Sequence, residues 1–145
     1  VEHLESRYYL CLLFALTNPN LRAVAETFPV TALRLCKFLE QHSESLIQDL
    51  KSQRLPTWIQ IAPEVRSILT RKLKCSPARI QELETVLARD KRLIPISAWR
   101  HLSFVITARG GTSDFYFEKF PEYFGGLPIF GGVYSSAEAT YGIHR

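Results

Sequence analysis

Five consecutive positions, Tyr134-Ser135-Ser136-Ala137-Glu138, carry residue types that nucleotide chemistry uses. A tyrosine ring is a flat surface on which a base stacks. Ser135 and Ser136 supply hydroxyls and backbone N–H groups for phosphate oxygens, and Glu138 is a hard oxygen ligand for the magnesium that accompanies a triphosphate. Upstream, Gly110-Gly111 lets the backbone approach a ligand with no Cβ between them. The same residues also fit a packed tyrosine, a serine turn and a solvated carboxylate, since patterns this short recur by chance.

To act together, these positions need a scaffold, and the flanking sequence reads as one. Leu102 to Ala108 is a short apolar, β-branched run typical of a buried strand. Gly110-Gly111 breaks it, Ser113 or Asp114 can cap a helix running to about Phe124, and Gly125-Gly126 stops that helix. Leu127-Pro128-Ile129-Phe130 then starts a second strand that leads to Tyr134. This order predicts parallel neighbouring strands over Ser103–Ala108 and Leu127–Val133, with Ser113–Phe124 as the crossover helix. In such a unit both loops lie at the carboxyl edge of the sheet, where ligands of open α/β sheets bind.

The carboxyl-terminal stretch resembles the auxin-responsive acyl-acid amido synthetases, the branch of the adenylate-forming enzymes named after the Gretchen Hagen genes. That family carries a Gly-Gly-Leu-Pro step, then Tyr-Ala-Ser-Ser-Glu, then an aromatic-Gly-Ile. Here Gly125-Gly126-Leu127-Pro128 leads to Tyr134-Ser135-Ser136-Ala137-Glu138 and Tyr141-Gly142-Ile143. Resemblance continues upstream through Leu10-Cys11-Leu12-Leu13, Leu21-Arg22, Phe28, Leu33 to Leu39, Leu46, Asp49 and Leu55. Ala137 departs from it, because the family has serine or threonine before the glutamate. The turn from Ala108 to Ser113 is also longer than in the plant members.

The resemblance implies an ATP- and Mg2+-dependent ligase that joins a small carboxylic acid to an amino acid. It implies that Tyr134 stacks on adenine, that Ser135, Ser136, Gly110 and Gly111 meet phosphate or ribose, and that Glu138 holds magnesium. Val133 and Thr140 would border the acyl group. Family members also have a Ser/Thr/Gly-rich triphosphate loop upstream, and an Asp-x-x-Gly-Asp segment with a small carboxyl-terminal domain downstream. Neither motif occurs within these 145 residues, so the chain is expected to be an internal piece of a larger adenylation domain, inactive alone. The alternative is a non-catalytic helical scaffold that kept the fold without the chemistry, and Ala137 is its best support.

Composition fits a folded domain with a real core: 46% of residues are hydrophobic. The longest apolar stretch, Tyr8 to Leu16, is far short of the ~20 residues that span a bilayer. No charged segment with a cleavage site follows Val1, so a signal peptide is not expected. Cys11, Cys36 and Cys75, odd in number and widely spaced, suit reduced thiols in a cytoplasmic protein. Net charge is +4, and its positive surplus lies before Ser103. It reads as a solvated helical surface, so no nucleic-acid or membrane partner is expected. His3, His42, His101 and His144 show no zinc-ligand spacing.

The first two-thirds reads as helical, giving an α/β class with a helical region at 1–102 and a β-α-β segment at 103–145 of the same domain. Glu2 to Leu16 is apolar nearly all round, as in a buried helix, and Asn18-Pro19-Asn20 ends it. A second helical period runs from Leu21 through Val24, Ala25 and Phe28 toward Leu39, kinked at Pro29. Ser43 is a candidate cap for a helix to Gln53; Pro63 and Ser76-Pro77 mark two further starts. Trp58 and Trp99 are expected core anchors.

Overall fold

The computed structural model describes residues 3–110, 114–131, 133–135 and 140–143, the last two segments as backbone only. The protein divides into two compact units, one made of residues 1–19 and 38–93, the other of 20–37 and 94–145.

The first unit is all helical. Its members are α1 (Leu4–Leu16), the end of α2 (Pro29–Gln41), α3 (Ser43–Ser52), α4 (Pro63–Lys72) and α5 (Pro77–Asp90). Leu13, Leu16, Leu39, Leu46, Leu50 and Leu83 form its solvent-free centre. Local signals set the boundaries. Ser76 caps α5 by accepting the Arg79 backbone N–H at 3.2 Å, and Pro63 and Pro77 occupy first-turn positions, where a missing N–H costs nothing. Ser43 does not cap α3: it is already helical, and its hydroxyl turns back to the Leu39 and Glu40 carbonyls at 2.9 and 2.8 Å. The same oxygen accepts the Leu93 N–H at 3.0 Å. Trp58 is no core anchor. It is 46% exposed, with its ring edge-on to Tyr9 at 5.1 Å.

Two buried polar groups tie this unit together. Arg79, 3% exposed, donates from Nε to the Leu16 carbonyl at 2.9 Å and from Nη1 to Glu82 at 2.8 Å, so the end of α1 is held by α5. The Tyr9 hydroxyl donates to Asp49 at 2.5 Å. Burial first, and then this bond to a carboxylate, push the Tyr9 phenol well above its ordinary range.

The second unit holds a three-stranded parallel sheet in the order β1-β2-β3, formed by β1 (Ala23–Ala25), β2 (Phe104–Ile106) and β3 (Ile129–Phe130). Parallel pairing of β2 with β3 agrees with the expected β-α-β unit. Val105 pairs with Ile129 and Ile106 with Phe130. The remaining elements are α6 (Pro95–Ala98), α7 (Asp114–Phe117), α8 (Phe120–Phe124), β4 (Val133–Ser135) and β5 (Thr140–Ile143). Val105, Ala98, Trp99, Phe120 and Phe124 are buried in this unit, none more than 3% exposed. Burial also pushes the Cys36 thiol on α2 up to about 12.

Four expectations change here. Ala23–Ala25 is a strand, because pairing with Phe104–Ile106 overrides a helical period that three small residues hardly define. Pro29 starts α2 instead of kinking a longer helix. The crossover is two short helices, since Pro121 has no N–H to continue a helix from α7 and sits instead in the first turn of α8. Finally, the strand expected over Leu127–Val133 ends at Phe130. Val133–Ser135 belongs to a separate antiparallel pair with Thr140–Ile143, and Gly131-Gly132 separates the two in sequence. Among the described residues no helix is long and apolar enough to cross a membrane.

Candidate functional site

The three parallel strands end at one edge, and the backbone there is tightly tied. Glu26 N–H donates to the Ile106 carbonyl at 2.9 Å, Thr107 N–H to Phe130 at 3.0 Å, and Ala108 N–H to Thr27 at 3.1 Å. The central strand is thus pinned on both sides until the chain turns away at Arg109 and Gly110. Gly110 has φ +102, a conformation L side chains rarely adopt, and a Cβ built there would meet nothing within 4 Å. Glycine is needed for the turn itself, and the space beside it is open, as close approach by a ligand requires. The Gly110 N–H donates to Asp114 Oδ1 at 3.4 Å, which links the turn to the start of α7.

Charge at this edge comes from Arg109 and Glu26. The Arg109 guanidinium lies 5.4 Å from the Phe117 ring centroid and reaches the Ile129 carbonyl at 3.4 Å. The Glu26 carboxylate, just past β1, is 3.2 Å from the Thr31 hydroxyl. Thr107 is 2% exposed, and its hydroxyl has no hydrogen-bond partner among the described residues. Glu26 and Thr107 gave no local signal, because only the pairing of β1 with β2 brings them to one edge. Arg109, inside the Gly-Gly turn, was readable as a cation beside an anion site.

Of the residues singled out for nucleotide chemistry, Gly110 is at this edge. Tyr134 and Ser135 lie in β4 with Val133, and Thr140 begins β5; the expected Tyr-to-Glu loop therefore starts later than Tyr134. Tyr134 pairs with Gly142, and the pairing slips between Tyr134 and Ser135. Gly111, Ser136, Ala137 and Glu138 lie outside the described residues. Among the described residues no group of three or more His, Cys, Asp or Glu could hold a metal ion.

The sequence model of the GH3 family N-terminal domain matches residues 1–129. The chain belongs to the GH3 family. Its sequence is 28% identical over 147 residues to the probable indole-3-acetic acid-amido synthetase GH3.7 of Oryza sativa subsp. japonica, covering 97% of this chain and 23% of that protein. It is 28% identical over 142 residues to indole-3-acetic acid-amido synthetase GH3.5 of Arabidopsis thaliana, with the same coverage of 97% and 23%. The chain thus spans about a quarter of the length of these GH3 relatives. A solved GH3.15 acyl acid amido synthetase superposes with a TM-score of 0.79 at 23% identity, over 95% of this chain and 26% of that one. AtGH3.15 acyl acid amido synthetase in complex with 2,4-DB gives 0.80, also at 23% identity, over 96% of this chain and 25% of that one. The two superpositions establish a shared fold.

Proposed function

We propose that this chain is part of an ATP-dependent acyl-acid amido synthetase that adenylates a carboxylic acid and passes the acyl group to an amino-acid amine. The observation that carries the reading is the GH3 match through residue 129, followed at once by Tyr134-Ser135-Ser136-Ala137-Glu138. In the first step a carboxylate oxygen attacks the α-phosphorus of ATP and pyrophosphate leaves. In the second, the amine nitrogen attacks the acyl carbon, AMP leaves, and the nitrogen gives up a proton. Positioning and charge neutralisation do most of the work in such transfers.

Within that reading, Tyr134 stacks on adenine, Ser135 and Ser136 meet phosphate or ribose, and Val133 and Thr140 border the acid. The open backbone at Gly110 suits a phosphate or ribose alongside it, and Arg109 adds a positive charge to the same turn. Glu138 would hold magnesium, which supplies neutralisation of phosphate charge. Indole-3-acetic acid, named for the relatives, and 2,4-DB, bound in a related structure, suggest acids with an aromatic body.

Ala137 favours a second reading, a scaffold that kept the fold and lost the phosphate contact. The full-length protein, given ATP, Mg2+, a panel of aromatic and aliphatic acids and an amino-acid mixture, separates the two. The synthetase reading expects AMP and an amide in equal amounts. No AMP with any acid would favour the scaffold. Ala137→Ser should raise the rate several-fold at most, since a neutral hydrogen bond is worth roughly 1 kcal/mol.

A further inference from the structure

Within the sheet unit, α2 and the α7–α8 segment border a groove of about 320 Å³. From α2 it takes Val30, Leu33, Arg34 and Lys37, whose spacing of three, four and seven residues puts all four on one helix face. From the other wall it takes Tyr116, Lys119, Glu122 and Tyr123. These stay together across the break between the two short helices because the chain keeps turning there. The Lys119 N–H donates to the Tyr116 carbonyl at 3.2 Å and the Glu122 N–H to the Lys119 carbonyl at 3.3 Å, a turn of three residues. None of the residues assigned above to nucleotide or acid lines this groove.

Size and charge select what it takes. Small-molecule sites occupy ~300–1,000 Å³, so this groove suits a compound of one or two rings. A protein partner would need roughly 800 Å² of surface. Arg34, Lys37 and Lys119, all exposed, stand against the single carboxylate of Glu122, a surplus of two positive charges. Among the described residues none of these three cations has an ion-pair or side-chain hydrogen-bond partner. Beneath them Val30, Leu33 and the Tyr116 ring are half-buried and give an apolar floor with one flat aromatic surface. A carboxylate would neutralise only half of that surplus. A phosphate monoester carries about −1.5 to −2 charges at neutral pH and three acceptor oxygens, which matches it. We propose that the groove between α2 and α7–α8 binds a small phosphate monoester with a flat apolar body, its phosphate among Arg34, Lys37 and Lys119 and its body on Val30, Leu33 and Tyr116.

Titration calorimetry on the full-length protein with 1-naphthyl phosphate tests this. The compound should bind, and 1-naphthol, which lacks the charge, and inorganic phosphate, which lacks the body, should each bind at least about tenfold more weakly. Replacing both Lys37→Gln and Lys119→Gln should weaken 1-naphthyl phosphate at least about tenfold, the size of one to two charge-assisted hydrogen bonds. Both side chains are exposed, so the melting temperature should stay within a degree or two of the parent's. Lys37→Arg with Lys119→Arg keeps the charges and should keep most of the affinity. No binding of 1-naphthyl phosphate overturns the proposal. So does binding that the two glutamines leave unchanged, for then the compound sits elsewhere, or inorganic phosphate that binds equally well, for then the apolar floor plays no part. Adenylation is not needed for any of these readings. Pyrophosphate exchange unchanged by the two glutamines would leave the synthetase reading standing whether or not the groove binds its ligand.

Discussion

The helical unit and the sheet unit treat their polar and apolar groups in opposite ways. In the helical unit buried polar atoms find partners inside: Arg79 with the Leu16 carbonyl and Glu82, Tyr9 with Asp49, Ser43 with Leu39, Glu40 and Leu93. In the sheet unit the Thr107 hydroxyl is buried with no partner among the described residues, the Gly110 turn borders open space, and Ile106 and Phe130 are exposed. The helical unit thus meets the needs of these buried polar groups internally, whereas the sheet edge presents open backbone at Gly110 beside the Arg109 charge.

Substitutions that break this contrast have graded effects. The largest is expected at Arg79. Arg79→Met leaves the Leu16 carbonyl buried without its donor, at a cost of roughly 2–4 kcal/mol. A lower denaturant midpoint with an unchanged slope would register it; a shift worth less than about 0.5 kcal/mol would mean that water replaces the guanidinium. Gly110→Ala comes next, at about 1–2 kcal/mol, because the new Cβ meets no atom and only the backbone conformation is strained. A stability loss with no loss of nucleotide binding would separate that turn from the site.

Tyr9→Phe is the smallest, about 1 kcal/mol at neutral pH, and its signature is pH dependence. Folding raises the phenol's pKa, so it favours the protonated form. That contribution is intact below about pH 10, the ordinary tyrosine value, and is lost progressively as pH rises above it. The phenylalanine variant should lack this share of the alkaline decline. Melting curves from pH 8 to 11 on both proteins check it, and parallel declines would contradict it.

How much of this was legible depended on whether the deciding interactions were local. Ser76, Pro63 and Pro77 announce helix starts within a few residues, and α4 and α5 begin where they indicate. Gly125 ends α8 with φ +59, again a local matter. The pairing of β2 with β3 was readable because two apolar runs flank a crossover of suitable length. By contrast β1 is three residues of Ala-Val-Ala whose state is decided by a partner about eighty positions away. Only that pairing makes Ala23–Ala25 the sheet's third strand and brings Glu26 to its edge. Pro121 is a local signal that splits the crossover, and Tyr134 belongs to β4, separate from β3. At the site, Gly110 was found from its residue type. Thr107 was not, since a buried hydroxyl with no partner among the described residues exists only relative to a packed surrounding.

The central claim is that the segment beyond β3 belongs to an acyl-adenylating site, and carboxylate-dependent exchange of pyrophosphate into ATP by the full-length protein tests it most directly. Glu138→Gln keeps the side chain's size and removes the charge that would pair with magnesium. The account predicts exchange in the parent protein and a fall of about 10²-fold or more in the variant, comparable to losing one strong transition-state contact. Exchange and magnesium dependence unchanged by Glu138→Gln would contradict it.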